Sequence, residues 1–418
     1  MSLRICLLVG AVSGHWFSTG VADEDPNWIR IPLDSRFRSE GAAAADLNND
    51  GSADVIAGDV WYGSPKPGSE NYTDASKWTL HEIRKPGDFV AGKGYSNSFC
   101  NFTFDVDGDG WPDVIIVGFP GDPLHWYRNP GRDGGDWTET QIWTSACNES
   151  PEFEDLDGDG IPEFVLGSQP EAQMGFVRLP GSVGTLESDV FHAISKPSTM
   201  SQDAGNRGID NGTFRYSHGL GVADMDLDGR RDIIFCGGWW KSPDDINRSH
   251  LWDFHPIRIT TEDGEQPLPD SGNIYARDFD LDGDVDVILS SAHKYGVWWA
   301  ENRGHAPWRL HIIDQSYSQT HAMEEVDING DGQLDYVTGK RFFAHNGGDP
   351  GGNDAVVMYW YETRIEKGRS PRFVPHEIVA GRGTGIGTQF IIRDMDNDGR
   401  PDIVLSNKKG VNVLLQNP

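Results

Sequence analysis

Asp105-Val-Asp-Gly-Asp-Gly-Trp-Pro-Asp113 runs directly into Val-Ile-Ile-Val-Gly118, and Asp278-Phe-Asp-Leu-Asp-Gly-Asp-Val-Asp286 into Val-Ile-Leu-Ser290. The same nine-residue pattern, an acidic turn feeding an apolar run, begins at Asp46, Asp105, Asp155, Asp224, Asp278, Asp327 and Asp394, at intervals of 49 to 69 residues. A unit repeated at such a period is the mark of a repeat architecture, in which each copy buries its apolar face against the next. Acidic or amide oxygens recur at positions 1, 3, 5 and 9, and glycine stands at position 6 in every copy.

That density of hard oxygen donors suits calcium, with the position-7 carbonyl as a further donor and the glycine permitting a sharp turn. The expected ligands are Asp46, Asn48, Asp50 and Asp54; Asp105, Asp107, Asp109 and Asp113; Asp155, Asp157, Asp159 and Glu163; Asp224, Asp226, Asp228 and Asp232; Asp278, Asp280, Asp282 and Asp286; Asp327, Asn329, Asp331 and Asp335; and Asp394, Asp396, Asp398 and Asp402. Asparagine at position 3 predicts weaker binding in the loops starting at Asp46 and Asp327. The loop resembles the first half of an EF-hand loop, without the glutamate at position 12 and with strands as flanks. Aspartates at alternate positions also form Asx turns unaided, which explains one copy more readily than seven.

The apolar run after each loop reads as a buried strand. An aromatic strand usually follows, such as His125-Trp-Tyr-Arg128 or Val297-Trp-Trp-Ala300, and then an alternating one, such as Trp308-Arg-Leu-His-Ile-Ile313. Four strands per repeat predict an all-β fold, a seven-bladed β-propeller with four-stranded blades over residues 23–418. The seventh repeat ends with its third strand. Trp28-Ile-Arg-Ile-Pro-Leu33 has the pattern of the missing fourth strand, so it is expected to close the ring by joining blade seven, hiding edges that invite aggregation.

Residues 1–22 read as an export signal, with Arg4, an apolar core over 5–12 and small residues before Asp23; the protein is expected to be secreted or periplasmic. After such a cut Cys100, Cys147 and Cys236 remain. The odd count argues against a disulfide framework: a Cys100–Cys147 bridge is one option and buried free thiols the preferred one. No apolar stretch reaches the ~18 residues of a membrane span. A formal charge of −30 repels phosphates, so no nucleic-acid partner is expected.

The loops and strands resemble VCBS or FG-GAP repeats, which occur in calcium-binding propellers including the integrin α-subunit head. More narrowly, His321-Ala-Met-Glu-Glu-Val-Asp327 through Thr338-Gly-Lys-Arg-Phe-Phe-Ala-His345 is similar to the propeller of aldos-2-ulose dehydratase-like proteins, which implies a sugar dehydratase acting on keto-sugars. Some polysaccharide lyases share a similar metal-dependent propeller.

Propeller geometry also turns register into a spatial expectation. Six residues before each first aspartate stand Glu40, Phe99, Glu149, His218, Gly272, His321 and Thr388, which would converge on one mouth of the channel, opposite the acidic loops. The turns between second and third strands should add Trp239, Trp240 and Lys241; His293 and Lys294; Lys340, Arg341 and His345; and Lys408 and Lys409. The glycine-rich 341–354 segment suits a flap. His218, His321, His345, Lys340, Arg341 and Glu149 are the candidate catalytic residues. In one scheme His218 or His321 removes a proton beside a carbonyl, Lys340 or Arg341 stabilises the enolate, and water is lost by β-elimination. In another, His218, His321, His345 and Glu149 hold one divalent transition metal as Lewis acid. The expected ligand is a carbohydrate, a keto- or uronic sugar. The alternatives are a non-catalytic carbohydrate- or protein-binding adhesion module and a glycosidase using Glu40 and Glu149. His81, His311 and His376, on outer strands, are expected to be structural.

Overall fold

In a computed structural model of the chain, residues 28–180, 190–198, 211–248, 251–262 and 264–417 are described; the expected leader lies outside them. They form seven antiparallel sheets arranged as the blades of a propeller. The first blade comprises Ala43–Ala45, Asp54–Ala57, Val60–Gly63 and Thr79–Glu82, from channel to rim. The other inner strands are Cys100–Phe104, Cys147–Glu154, Leu220–Ala223, Tyr275–Arg277, Met323–Val326 and Phe390–Arg393. Trp28–Asp34 pairs antiparallel with Gly410–Gln416, Ile31 facing Val413, and completes blade seven.

One register repeats around the ring. In each blade the residue before the acidic loop pairs with the loop's ninth residue: Ala45 with Asp54, Phe104 with Asp113, Glu154 with Glu163, Ala223 with Asp232, Arg277 with Asp286, Val326 with Asp335 and Arg393 with Asp402. The position-6 glycines all hold positive φ, from +87° at Gly110 to +102° at Gly283, a conformation that side chains disfavour. The apolar second strands are buried between blades: Ile31, Val55, Val404 and Val413 interlock blades seven and one, and Phe99, Ile115, Phe164 and Leu166 blades two and three. Each such side chain contributes ~1.5–3 kcal/mol through burial.

Blade five departs from the expected four strands. A hairpin of Ile259–Thr261 and Gly264–Gln266 adds to its rim, Ile259 pairing in parallel with Trp308 of a long outer strand, Ala306–Ser318. The outer-strand histidines are packing elements. His81, His311 and His376 stack on Trp61, Trp299 and Trp360 as direct cross-strand pairs, with ring centroids 4.1, 4.3 and 4.1 Å apart. Cys100, Cys147 and Cys236 are free and buried.

Candidate functional site

The acidic loops lie at one end of the channel. The position-1 carboxylate closes each turn, as Asp46 does by accepting from the N–H groups of Asp50 (2.9 Å) and Gly51 (2.8 Å). The buried position-9 carboxylate ties the loop to the third strand: Asp54 accepts from Leu47 N (3.0 Å) and Ser64 N (2.9 Å), and Asp402 from Met395 N and Gln416 N (both 2.8 Å). Burial pushes these acids up, Asp54 and Asp402 to about 7 and Asp113 and Asp232 to about 6. Carboxylate oxygens carry further lone pairs. In the loops starting at Asp105, Asp155 and Asp224, oxygens of positions 1, 3 and 9 lie within 4.8 Å of one another, a donor set that fits a hard cation. Position 5 turns an oxygen onto the N–H two residues on, as Asp109 does to Trp111.

In those three loops a side-chain cation also reaches position 3: Arg128 to Asp107, Arg178 to Asp157 (3.1 Å) and Lys241 to Asp226. Lys241 therefore belongs to the loop end of the molecule and not to the mouth. Gly238–Lys241 is a third strand rather than a turn. Trp240 is buried between blades three and four, and Trp239 stacks on His255.

At the opposite end, the seven residues counted back from the first aspartates do gather. Arg341 is fully buried and donates from Nη2 to Glu40 (3.0 Å) and from Nη1 to Glu149 (3.1 Å), with Phe99 beneath its guanidinium. Thr388 donates to the Phe99 carbonyl (2.6 Å). Gly272 is required by close approach, since a Cβ there would stand 2.5 Å from the His321 carbonyl oxygen. Both fork nitrogens of Arg341 are thus committed to glutamates, which suits it to positioning them rather than to stabilising an enolate. Lys340 is buried and donates to Gln319 (2.7 Å) and Ser318 (3.2 Å). Lys408 donates to the Phe343 carbonyl (3.2 Å) beside the Tyr95 ring, and burial lowers its ammonium to about 8.

The histidines form one cluster. His218 lies next to Glu149, Nε2 to Oε1 3.9 Å. Its ring is 5.4 Å from that of His321 and 4.6 Å from that of His293, centroid to centroid; His293 in turn is 4.7 Å from His345. Donor atoms of His218, His293 and His321 lie within 4.8 Å of one another, as do those of His293, His345 and Asp349. His218 and His321 are buried, and desolvation, reinforced by neighbouring imidazoles and Arg341, holds both well below the usual histidine value. Neither ring nitrogen of His218 has a hydrogen-bond partner. His321 donates from Nδ1 to the Gln319 carbonyl (3.2 Å), leaving Nε2 unpartnered. Neutral imidazoles with buried, unsatisfied nitrogens fit a transition metal.

Register found His218, His321, Glu40 and Glu149. It gave His293 only as a rim cation and missed Asp349, Gln319 and Tyr95. His293 sits in the blade-five turn equivalent to the one bearing Lys340, which was a usable signal; Asp349 lies in the aperiodic flap. Beside His218 a cavity of about 150 Å³ is walled by Phe214, Tyr216, Phe235 and Leu268, with Asp270. Within the channel a second, of about 290 Å³, is lined by Glu152, Glu324, Tyr275 and Gln389. Among the described residues no helix is long and apolar enough to cross a membrane.

Among curated proteins none matches the chain. Among solved structures, an Agrocybe aegerita lectin that recognises non-reducing terminal N-acetylglucosamine is 17% identical, with 85% of this chain and 81% of that one covered and a TM-score of 0.41. A Bacillus licheniformis rhamnogalacturonan lyase is 14% identical over 94% of this chain and 75% of its own, at a TM-score of 0.42. The FG-GAP-like repeat family matches residues 105–166 and 278–338. The chain is a seven-bladed β-propeller that carries FG-GAP-like repeats.

Proposed function

We propose that the channel mouth is the active site of a carbohydrate-active lyase, in which a sugar bearing a carbonyl loses a β-substituent, water or an alkoxide. The observation that carries this reading is the convergence of His218, His293 and His321, with unpartnered buried nitrogens on His218 and His321, beside a glutamate gripped by arginine. A divalent transition metal held by these three histidines would polarise the substrate carbonyl. The protein's own residues do the rest. Arg341 fixes one oxygen of Glu149, and the other faces His218, where it is placed to take the proton α to the carbonyl. The aromatic walls of the adjoining cavity, Phe214 and Tyr216, suit the apolar face of a pyranose ring. The acidic loops are proposed to hold structural calcium at the far end, in an exported protein.

The test is to supply calcium and zinc or manganese and incubate the purified protein with keto-sugars, 3-keto-glycosides and uronate polymers. Unsaturated product should raise the ultraviolet absorbance. Glu149→Gln should lower the rate ~10²–10⁴-fold while the thermal melt stays cooperative. A flat trace with every substrate class would leave the non-catalytic binding module as the better account.

A further inference from the structure

We propose that residues 342–355 are a lid over the histidine cluster, latched by Lys408, and that small molecules reach His321 only when it lifts. This goes beyond the lyase reading and does not rest on it, because it concerns access to the mouth whatever ligand the mouth takes. His321, Gln319 and Arg341 are fully buried, and what covers them is an insertion rather than a blade. Its stem is clamped: Lys340 N donates to the Val357 carbonyl (2.9 Å) and Arg341 N to the Gln319 carbonyl (3.0 Å). Beyond the stem the backbone bonds are internal, from Gly348 to His345 (3.1 Å), Gly352 to Asp349 (2.9 Å) and Asp354 to Gly351 (2.9 Å). Residues 342–355, all of them described, contain no strand, and glycine stands at 347, 348, 351 and 352. Single side chains tie the segment down. Lys408 Nζ donates to the Phe343 carbonyl (3.2 Å), Gln319 Nε2 to Asp349 Oδ2 (3.2 Å) and the Tyr295 hydroxyl to Asp354 (2.8 Å). A compact unit on a fixed stem, outside the sheet ladder, belongs to the part of a native protein that opens first.

The backbone gives independent support. Phe343 (φ 54°), His345 (φ 46°) and Asn346 (φ 53°) are all left-handed, three side-chain-bearing residues within four positions. Such strain persists only where surrounding contacts impose it, so the shut position is loaded, and opening lets these residues relax. In that position Ala344 is buried, and the His345 ring stands 6.1 Å from that of His321 and 4.7 Å from that of His293. The latch is a buried ammonium: Lys408 is itself fixed by the Tyr95 ring, 4.1 Å from Nζ to the centroid, and by Glu40 at 3.9 Å. A donor carrying charge makes the stronger kind of hydrogen bond. A shut lid keeps bulk water from the imidazoles beneath it, as closing segments do over reactive groups.

The experiment uses the full chain in saturating calcium with no transition metal added. Diethyl pyrocarbonate modifies accessible neutral imidazoles, and mass spectrometry reads each histidine separately. His321 should react far more slowly than His81, which is exposed on an outer strand. Lys408→Met removes a charged hydrogen bond and should speed His321 roughly tenfold, with His81 unchanged. Asn346→Val acts on the strain rather than on the latch: Asn346 is exposed, and its φ of 53° is one that a β-branched side chain strongly disfavours. It should speed His321 in the same direction. Amide hydrogen exchange over 342–349 should quicken with it, while the buried strand Val114–Val117 exchanges as in the wild type. Labelling of His321 at the wild-type rate in Asn346→Val overturns the inference, because the segment then does not gate the cluster. Exchange over 342–349 as slow as over Val114–Val117 in the wild type overturns it too, because the segment then opens only with the whole fold.

Discussion

At one end of the channel seven loops repeat a single register, and each does the same work: a position-1 carboxylate closes a turn and a position-9 carboxylate ties it to the third strand. At the other end nothing repeats. Blade one contributes Glu40, blade three Glu149, blade four His218, blade five His293, and blade six His321, Arg341, His345 and Asp349. The first end is redundant, so its sum sets stability. The second is assembled from single copies, so in the proposed chemistry no residue has a substitute, while each is nearly dispensable to the fold, apart from the buried ion pairs.

The largest expected effect falls on the repeated end. Each of the proposed calcium sites, filled at a hundredfold excess over Kd, would stabilise the native state by about 2.7 kcal/mol, so chelation with EGTA should lower the thermal midpoint far more than any substitution among the mouth histidines. The buried position-9 acids explain the size of the effect. Without a cation, burial makes their ionised form unfavourable, and the loops' neighbouring aspartates add repulsion. Equal melts with and without EGTA would erase the proposed contrast between the two ends.

The next largest belongs to the mouth. Arg341→Met removes one guanidinium and strands two buried carboxylates, Glu40 and Glu149, which should cost about 3–5 kcal/mol. Adding Glu40→Gln and Glu149→Gln should recover most of that loss, since the carboxylates that faced Arg341 are then neutral and only Lys408, 3.9 Å from Glu40, loses a charge partner. Urea unfolding of the single and triple variants checks this. If the triple variant is no better than the single one, Arg341 contributes packing against Tyr95 and Phe99 rather than charge balance.

The contrast also explains what the sequence reveals. Blade number, register, loop positions and ring closure by Trp28–Asp34 were legible because the same residue types recur at fixed offsets, and burial enforces that recurrence. The mouth was half legible. His218, His321, Glu40 and Glu149 occupy one register position, six residues before the first aspartate of each loop and at or just ahead of the start of the inner strand, so the repeat predicts their convergence. Asp349 and the left-handed backbone at His345 lie in an insertion with no counterpart in other blades, and no periodicity reaches them. Lys241 was misplaced because Gly238-Trp-Trp-Lys241 reads equally as a turn or a strand; pairing of Ile233 with Trp240 makes it a strand and sends the lysine to the other end.

Between the two ends lies the channel wall, where the smallest effect is expected and where its sign separates the two ends' electrostatics. Glu152 accepts from Asn273 Nδ2 (3.1 Å) and faces Glu154 on its own strand and Glu324 on blade six. Enclosure, then repulsion by Glu154, raises its carboxyl from 4.5 to about 8, so the folded state holds a proton that the unfolded chain releases. Below pH 4.5 both states are protonated and stability is unaffected. As pH rises from 4.5 to 8 the native state binds more protons than the unfolded one, and stability falls. Glu152→Gln keeps an oxygen for Asn273 and removes the titration. It should raise stability at pH 8 by about 1–2 kcal/mol once channel water has screened the charge, and change nothing at pH 4. Thermal melts of both proteins across that range decide the matter: curves that run parallel from pH 4 to 8 would mean that channel solvent already neutralises the wall, and that the molecule's electrostatic strain is confined to its acidic loops.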